Sequence, residues 1–243
     1  MKKLIIVTFL VASIVTAAEA QFEEKMKKEN VVEGIVYQDG KELHGYIKNI
    51  YYVKADGLSY FAPWKFQEYV VFYPKDVFEN TEKLKRKHFE LLKAKDCDGY
   101  KIDTLIYESV KYAHLEGVGV AMPKKMFLRK VLDDKISLFL FFKSPPPAMT
   151  SYDGQANVLK EAAKPYNIYR VKIEGKLKQV ADMNIKKELA DCSFVTEKEA
   201  KGEYKASQGD QESSKLLKLM KDAGNREESR FKAIADYNTN CSN

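Results

Sequence analysis

Apolar and polar positions alternate through most of residues 31–180. The alternating stretches are short, rich in Val, Ile, Tyr and Phe, and broken by dipeptides of the kind that supply positive φ. Asp39-Gly40 divides residues 31–38 from 42–53, Asp56-Gly57 divides that second stretch from 58–62, and Glu174-Gly175 divides 166–173 from 176–180. Each predicts a hairpin. Within 42–53, Leu43, Gly45 and Ile47 fall on one face and His44, Tyr46 and Lys48 on the other, as a half-buried antiparallel sheet requires. Residues 126–132 and 135–143 flank Asp133-Asp134 as another hairpin, and Ile136 to Phe142 is its most apolar strand. The run is too short for a buried helix and three prolines at 145–147 stop it, so it predicts a central strand followed by a loop to about residue 155. Residues 82–95 leave the strand period, and Leu84, Phe89, Leu91 and Leu92 among charges predict a short helix.

From about Asn184 the composition turns to Ala, Lys, Glu and Leu, which predicts helix. Thr196 with Glu199, and Asn225 with Glu228, have capping-box spacing. Leu216, Leu217 and Met220, then Phe231, Ile234 and Tyr237, form apolar stripes at helical spacing, with Gly224 as a stop between them. The expected fold class is α+β: an antiparallel strand-rich body, sandwich or open barrel, followed by a C-terminal helical segment. The expected divisions are a leader at 1–20, an N-terminal tail at 21–30, a β-rich region at 31–181 and a helical region at 182–243.

The leader carries the most specific signal. Lys2 and Lys3 precede an apolar stretch from Leu4 to Val15 and then Ala18-Glu19-Ala20, the three parts of a secretory signal peptide cleaved before Gln21. The rival reading is a retained membrane anchor, for which the stretch is short. After cleavage no run long enough to span a membrane remains, and a periplasmic or secreted address is expected. Loss of Lys2, Lys3 and Glu19 moves the net charge from +6 to +5. That excess is interspersed, and the densest basic run, Lys83 to His88, is flanked by Glu82 and Glu90, so nucleic acid is not an expected partner.

Export permits disulfides, and the chain has three cysteines. A Cys192–Cys241 bridge is expected because the two bracket the helical region and close a long loop, leaving Cys97 free. Cys97 with Cys192 is the rival pairing.

Motifs for chemistry are few. His44, His88 and His114 form no H-E-x-x-H arrangement, and no metal or cofactor is expected. Asp96-Cys97-Asp98-Gly99 opens like a calcium loop but continues with Lys101 and Tyr107 where the glycine and bidentate acid belong, so it reads as a turn. Gly117-Val118-Gly119-Val120 with Lys124-Lys125 is not a P-loop, because Met122-Pro123 intervene before the lysines, and no G-x-S-x-G elbow occurs. The aromatic surplus, 15 Tyr and 13 Phe, suggests an apolar platform. Tyr51 and Tyr52 are adjacent on a strand and point to opposite faces, so alternation from Tyr46 selects Tyr52 as its partner in ligand binding. The expected role is non-enzymatic binding of an envelope protein, peptide or glycan. The alternative is a secreted hydrolase acting on glycan or cell-wall material through acidic residues, since a carboxylate pair is defined in space rather than in sequence.

Residues 32–36 through Asp39-Gly40 and Gly45-Tyr46-Ile47, residues 127–138, Glu188-Leu189-Ala190-Asp191-Cys192, and the closing Ile234-Ala235-Asp236-Tyr237-Asn238 together resemble a family of uncharacterised exported proteins from Bacteroidetes-type bacteria. The resemblance spans most of the mature chain, with the Lys-rich stretch 80–95 as an insertion. It implies an envelope address and a strand-rich body with a C-terminal helical segment, and no activity.

Overall fold

The structure is a computed structural model that describes residues 19–49, 51–114, 122–145, 155–171, 175–204 and 225–241. The leader core, Gly117 to Val120, the loop after Pro145, Glu174 and the stripe Leu216, Leu217, Met220 with Gly224 lie outside the described residues. So does the side chain of Asn225, and with it the second capping box.

Helical residues 19–29 (α1) lead into β1 (Val31–Gln38) and β2 (Lys41–Lys48), then β3 (Tyr52–Ala55) and β4 (Leu58–Phe61). The short helix α2 (Lys65–Glu68), β5 (Tyr69–Pro74) and α3 (Lys75–Asn80) follow, then β6 (Glu90–Lys93), β7 (Gly99–Ile102), β8 (Leu105–Tyr112), β9 (Lys124–Leu132) and β10 (Ile136–Phe142). The chain continues through α4 (Ala156–Ala162), β11 (Pro165–Val171), β12 (Lys178–Gln179), α5 (Ile185–Glu188), α6 (Ser193–Lys201) and α7 (Asn225–Asn240). The fold class is α+β. Ten strands form one open sheet in the order β12-β11-β10-β9-β8-β7-β1-β2-β5-β6, every pair antiparallel, while β3 and β4 form a separate two-stranded sheet.

Three local expectations need correction. The strand expected at 42–53 is two strands, because Tyr51 turns inward, packs edge-on against Phe66 and Tyr69 at 4.8 and 5.7 Å, and accepts a hydrogen bond from Ala62 N–H at 2.9 Å. The chain then leaves the large sheet. The helix expected at 82–95 is a 3-10 turn (Arg86–His88) followed by the edge strand β6, whose Leu91 and Leu92 oppose Val71 and Val70. Tertiary pairing overrides a weak helical period there. Thr196 does not cap a helix: α6 starts one turn earlier with Cys192 at the cap position, and Thr196 Oγ1 donates back to Cys192 O at 3.1 Å.

One face of the sheet carries an unbroken core. Val36, Ile47, Phe72, Tyr100, Ile102, Tyr107 and Phe127 pack together, with Tyr100 and Tyr107 stacked at 4.6 Å. Trp64, Leu140, Phe142 and Leu159 extend this layer, and Ile136, Leu138 and Tyr169 complete it against Val180, Leu189, Val195, Phe231, Ile234 and Tyr237 of the helical region. The Phe231, Ile234 and Tyr237 stripe is therefore core. Gly34 sits opposite Gly45 in this layer, where a Cβ on Gly34 would come within 2.7 Å of the backbone oxygen of Lys101, so only glycine permits the approach.

β10 is buried along all seven residues, as the apolar run predicts. β11 pairs with its whole length, but β9 is in register only with Leu138, Phe139 and Leu140. Where that ladder stops, side-chain amides replace it. At one end Gln67 accepts from Phe142 N–H and donates to Phe142 O, both at 2.7 Å; at the other, Asn238 accepts from Ile136 N–H at 2.8 Å and donates to Ile136 O at 3.1 Å. Each amide acts as a rung of a missing strand and satisfies a main chain that would otherwise be buried unpaired.

The Cys192–Cys241 disulfide is formed, with Cα atoms 5.6 Å apart, and Cys97 is free and buried. The bridge joins the start of α6 to the end of α7, and Lys135 Nζ donates to Cys241 O beside it. Among the described residues no helix is long and apolar enough to cross a membrane.

Candidate functional site

The second face of the sheet is covered at both ends and, among the described residues, open between them. At the β5 end Val31, Tyr46, Val71 and Tyr73 pack beneath Phe78 of α3, with Phe22 and Met26 of α1 on top. At the β11 end Val110, Leu128, Phe139, Phe141 and Ile168 are buried together. Next to them Glu108 forms a two-pronged pair with Arg170, at 2.7 and 3.3 Å, and a second with Lys130 at 2.8 Å. Burial pulls the Glu108 carboxyl upward, yet its bonds and charge pairing with Arg170 and Lys130 outweigh that and hold it below the ordinary carboxylate value.

The centre follows from register. The two-residue turn at Asp39 and Gly40, both at positive φ, sets Glu33 opposite Tyr46 and Ile35 opposite His44. β7 places Lys101 opposite Ile35, and β8 places Ile106 opposite Lys101. One cross-strand row, His44-Ile35-Lys101-Ile106, therefore crosses four strands on the uncovered face. Ile106 is 40 % exposed. A groove of about 580 Å³ lies over β1, β2 and β7, lined by Glu33, Ile35, His44, Tyr46, Lys101 and Asp103 among others. It offers an aliphatic floor, two lysines (Lys75 and Lys101) and two carboxylates, and Lys101 makes no salt bridge among the described residues.

The two expected ligand-binding tyrosines are not brought together. Tyr46 is 1 % exposed, stacks on Phe78 at 4.3 Å, and donates its hydroxyl to Glu79 Oε1 at 2.9 Å. Burial and that carboxylate push its phenol well above the usual value. Tyr46 is thus part of the groove wall but already fully engaged by protein. Tyr52 is 59 % exposed on the other sheet, where its neighbour is Phe61, 6.4 Å away and edge-on. Alternation from Tyr46 to Tyr52 fails because the strand carrying both breaks at Tyr51. No motif marks Lys101, Ile35 or Asp103; the alternation of Glu33, Ile35 and Tyr37 against Val32, Gly34 and Val36 is the one signal the chain carries for them.

Reactive groups lie elsewhere. Burial pushes the Cys97 thiol up to about 11, which suits a packed thiol rather than a nucleophile. Asp96 Oδ2 accepts from Lys93 N–H at 2.9 Å and closes a turn. Burial raises Glu227, but it faces Asn167 at 2.7 Å under the helical region, away from the groove. Among the described residues no group of three or more His, Cys, Asp or Glu is placed to hold a metal ion. Compared with known proteins, the chain matches no family model, no curated protein and no solved structure.

Proposed function

We propose that this is an exported, non-enzymatic binding protein of the periplasm or cell exterior, which holds a peptide or glycan in the central groove. The observation that carries the reading is the interruption of the second face: a sheet that builds a core at each end of that face leaves Ile106 exposed and Ile35 half-buried beside Lys101 in the middle. Apolar contact with a few placed charges is how such a groove takes an amphipathic ligand. The three-part leader and a disulfide, which persists in oxidising compartments, support the address.

Glu33 and Asp103 line the same groove, and this favours glycan hydrolysis as the second reading. The deciding experiment presents mature protein, residues 21–243, to glycan and peptide arrays and follows every retained compound by mass spectrometry for cleavage. Retention without cleavage is expected. Turnover abolished by Glu33→Gln or Asp103→Asn would replace binding with hydrolysis, and retention of nothing would remove the groove's role.

A further inference from the structure

β2 is eight residues long, and β1 pairs with all of it, out to Lys41. On its other side β5 pairs only with Gly45, Tyr46 and Ile47. β5 stops at Pro74, which has no N–H to continue a ladder, and the chain turns at once into α3. Among the described residues, Lys41, Glu42 and Leu43 are therefore strand with a neighbour on one side. In a hairpin closed by a two-residue turn the flanking pair, Gln38 and Lys41, is the hydrogen-bonded one, so the N–H and C=O of Glu42 point away from β1 toward the open side.

A second groove of about 580 Å³ continues the line of β5 past its end, bounded by Glu42, Leu43, His44, Lys75, Asp76 and Glu90 among others. Its charge runs against that of the chain. Glu42, Asp76, Glu79 and Glu90 line it, whereas the whole protein carries +6. Lys75 lies 3.9 Å from Glu79, and His44 lies 3.5 Å from Glu42. Glu90 heads β6, the outermost strand, opposite Phe72, so an acidic side chain borders the groove from the β6 side as well.

We infer that this position receives an extended, lysine- or arginine-bearing peptide segment, which adds as a strand beside Lys41–Leu43. Main-chain bonds to Glu42 supply the pairing, and the carboxylates lining the groove select basic side chains. The edge is short and bears charge, as protected edges do, which limits promiscuous pairing and leaves selection to the side chains. The site adjoins the central groove, sharing His44 and Lys75 with its lining, but does not rest on that assignment.

The test is fluorescence anisotropy on the mature protein with two libraries of octapeptides, one carrying Lys or Arg and one Glu at alternate positions. The basic library is expected to yield binders and the acidic one none. N-methylation of alternate amides in the best binder should weaken it at least tenfold, since a methylated amide cannot complete a ladder. Glu42→Lys with Glu90→Lys should weaken it at least tenfold with an unchanged melting temperature. An N-methylated peptide that binds equally well would reduce the site to charge attraction and overturn strand addition. Absence of binders in the basic library at low salt would overturn it as well.

Discussion

The two faces of the large sheet are made by the same strands and reach different ends. On one face every strand from β6 to β11 contributes to a continuous apolar layer, closed by Trp64, by α4 and by the helices after β12. On the other, α1 and α3 cover one end, a second cluster occupies the other, and the row through Ile35, Lys101 and Ile106 is left open. The first face holds the molecule together, and the second has room for a partner. Substitutions should therefore separate by cover, with large costs on the first face and at the covered ends of the second and small ones in its open centre.

The largest effect is expected from the closure of the first face. Cys192→Ser with Cys241→Ser releases a loop with a separation of 49 residues, worth about 4 kcal/mol on chain-entropy grounds. Urea melts with and without reductant measure it; equal midpoints would mean that the helical cover holds without the bridge. Phe139→Ala removes a fully buried ring and should cost about 3 kcal/mol. An effect near zero would show that the β11 end of the second face is as open as its centre.

Gln67→Leu and Asn238→Leu sharpen the account of β10. Each removes two hydrogen bonds to the main chain of that strand and leaves a buried N–H and C=O unpaired, at about 2 kcal/mol. Amide exchange at Phe142 and Ile136 should accelerate in the matching variant only. Glu108→Gln should cost about 1 kcal/mol at neutral pH, because it leaves Arg170 and Lys130 facing a neutral amide. The folded-state carboxyl lies below its unfolded value. The stability it contributes is present above the unfolded pKa and is lost as pH falls through the folded one, so wild type and variant should converge in acid. A difference that grows toward low pH would reverse the assigned shift. The smallest effect, within about 0.5 kcal/mol, is expected for Lys101→Glu on the open row.

Much of this contrast was legible in the sequence. The turn dipeptides Asp39-Gly40 and Asp56-Gly57 place two hairpins, and the run from Ile136 to Phe142 announces a strand buried on both faces. The cysteine pair was also readable, since two thiols bracketing a helical region have a short list of partners. What alternation lacks is any knowledge of which strand stops. The inward turn of Tyr51, which separates Tyr46 from Tyr52, depends on Phe66 and Tyr69; Pro74 ends β5 by its missing N–H, but only the pairing with β2 shows which positions that leaves without a neighbour. The groove was hidden for the same reason. Ile35 and Lys101 are 66 positions apart and meet only because β7 pairs with β1. Gln67 and Asn238 likewise look like surface amides until the β9 ladder is seen to fall short of β10.

The most direct test compares wild type, Ile35→Asp and Lys101→Glu on the glycans and non-basic peptides that the wild-type mature protein retains, with thermal melts of all three. The account predicts that each substitution reduces retention at least tenfold while the melting temperature stays within about 2 °C of wild type. Undiminished retention by both variants would contradict it and place the ligand away from the open centre of the sheet.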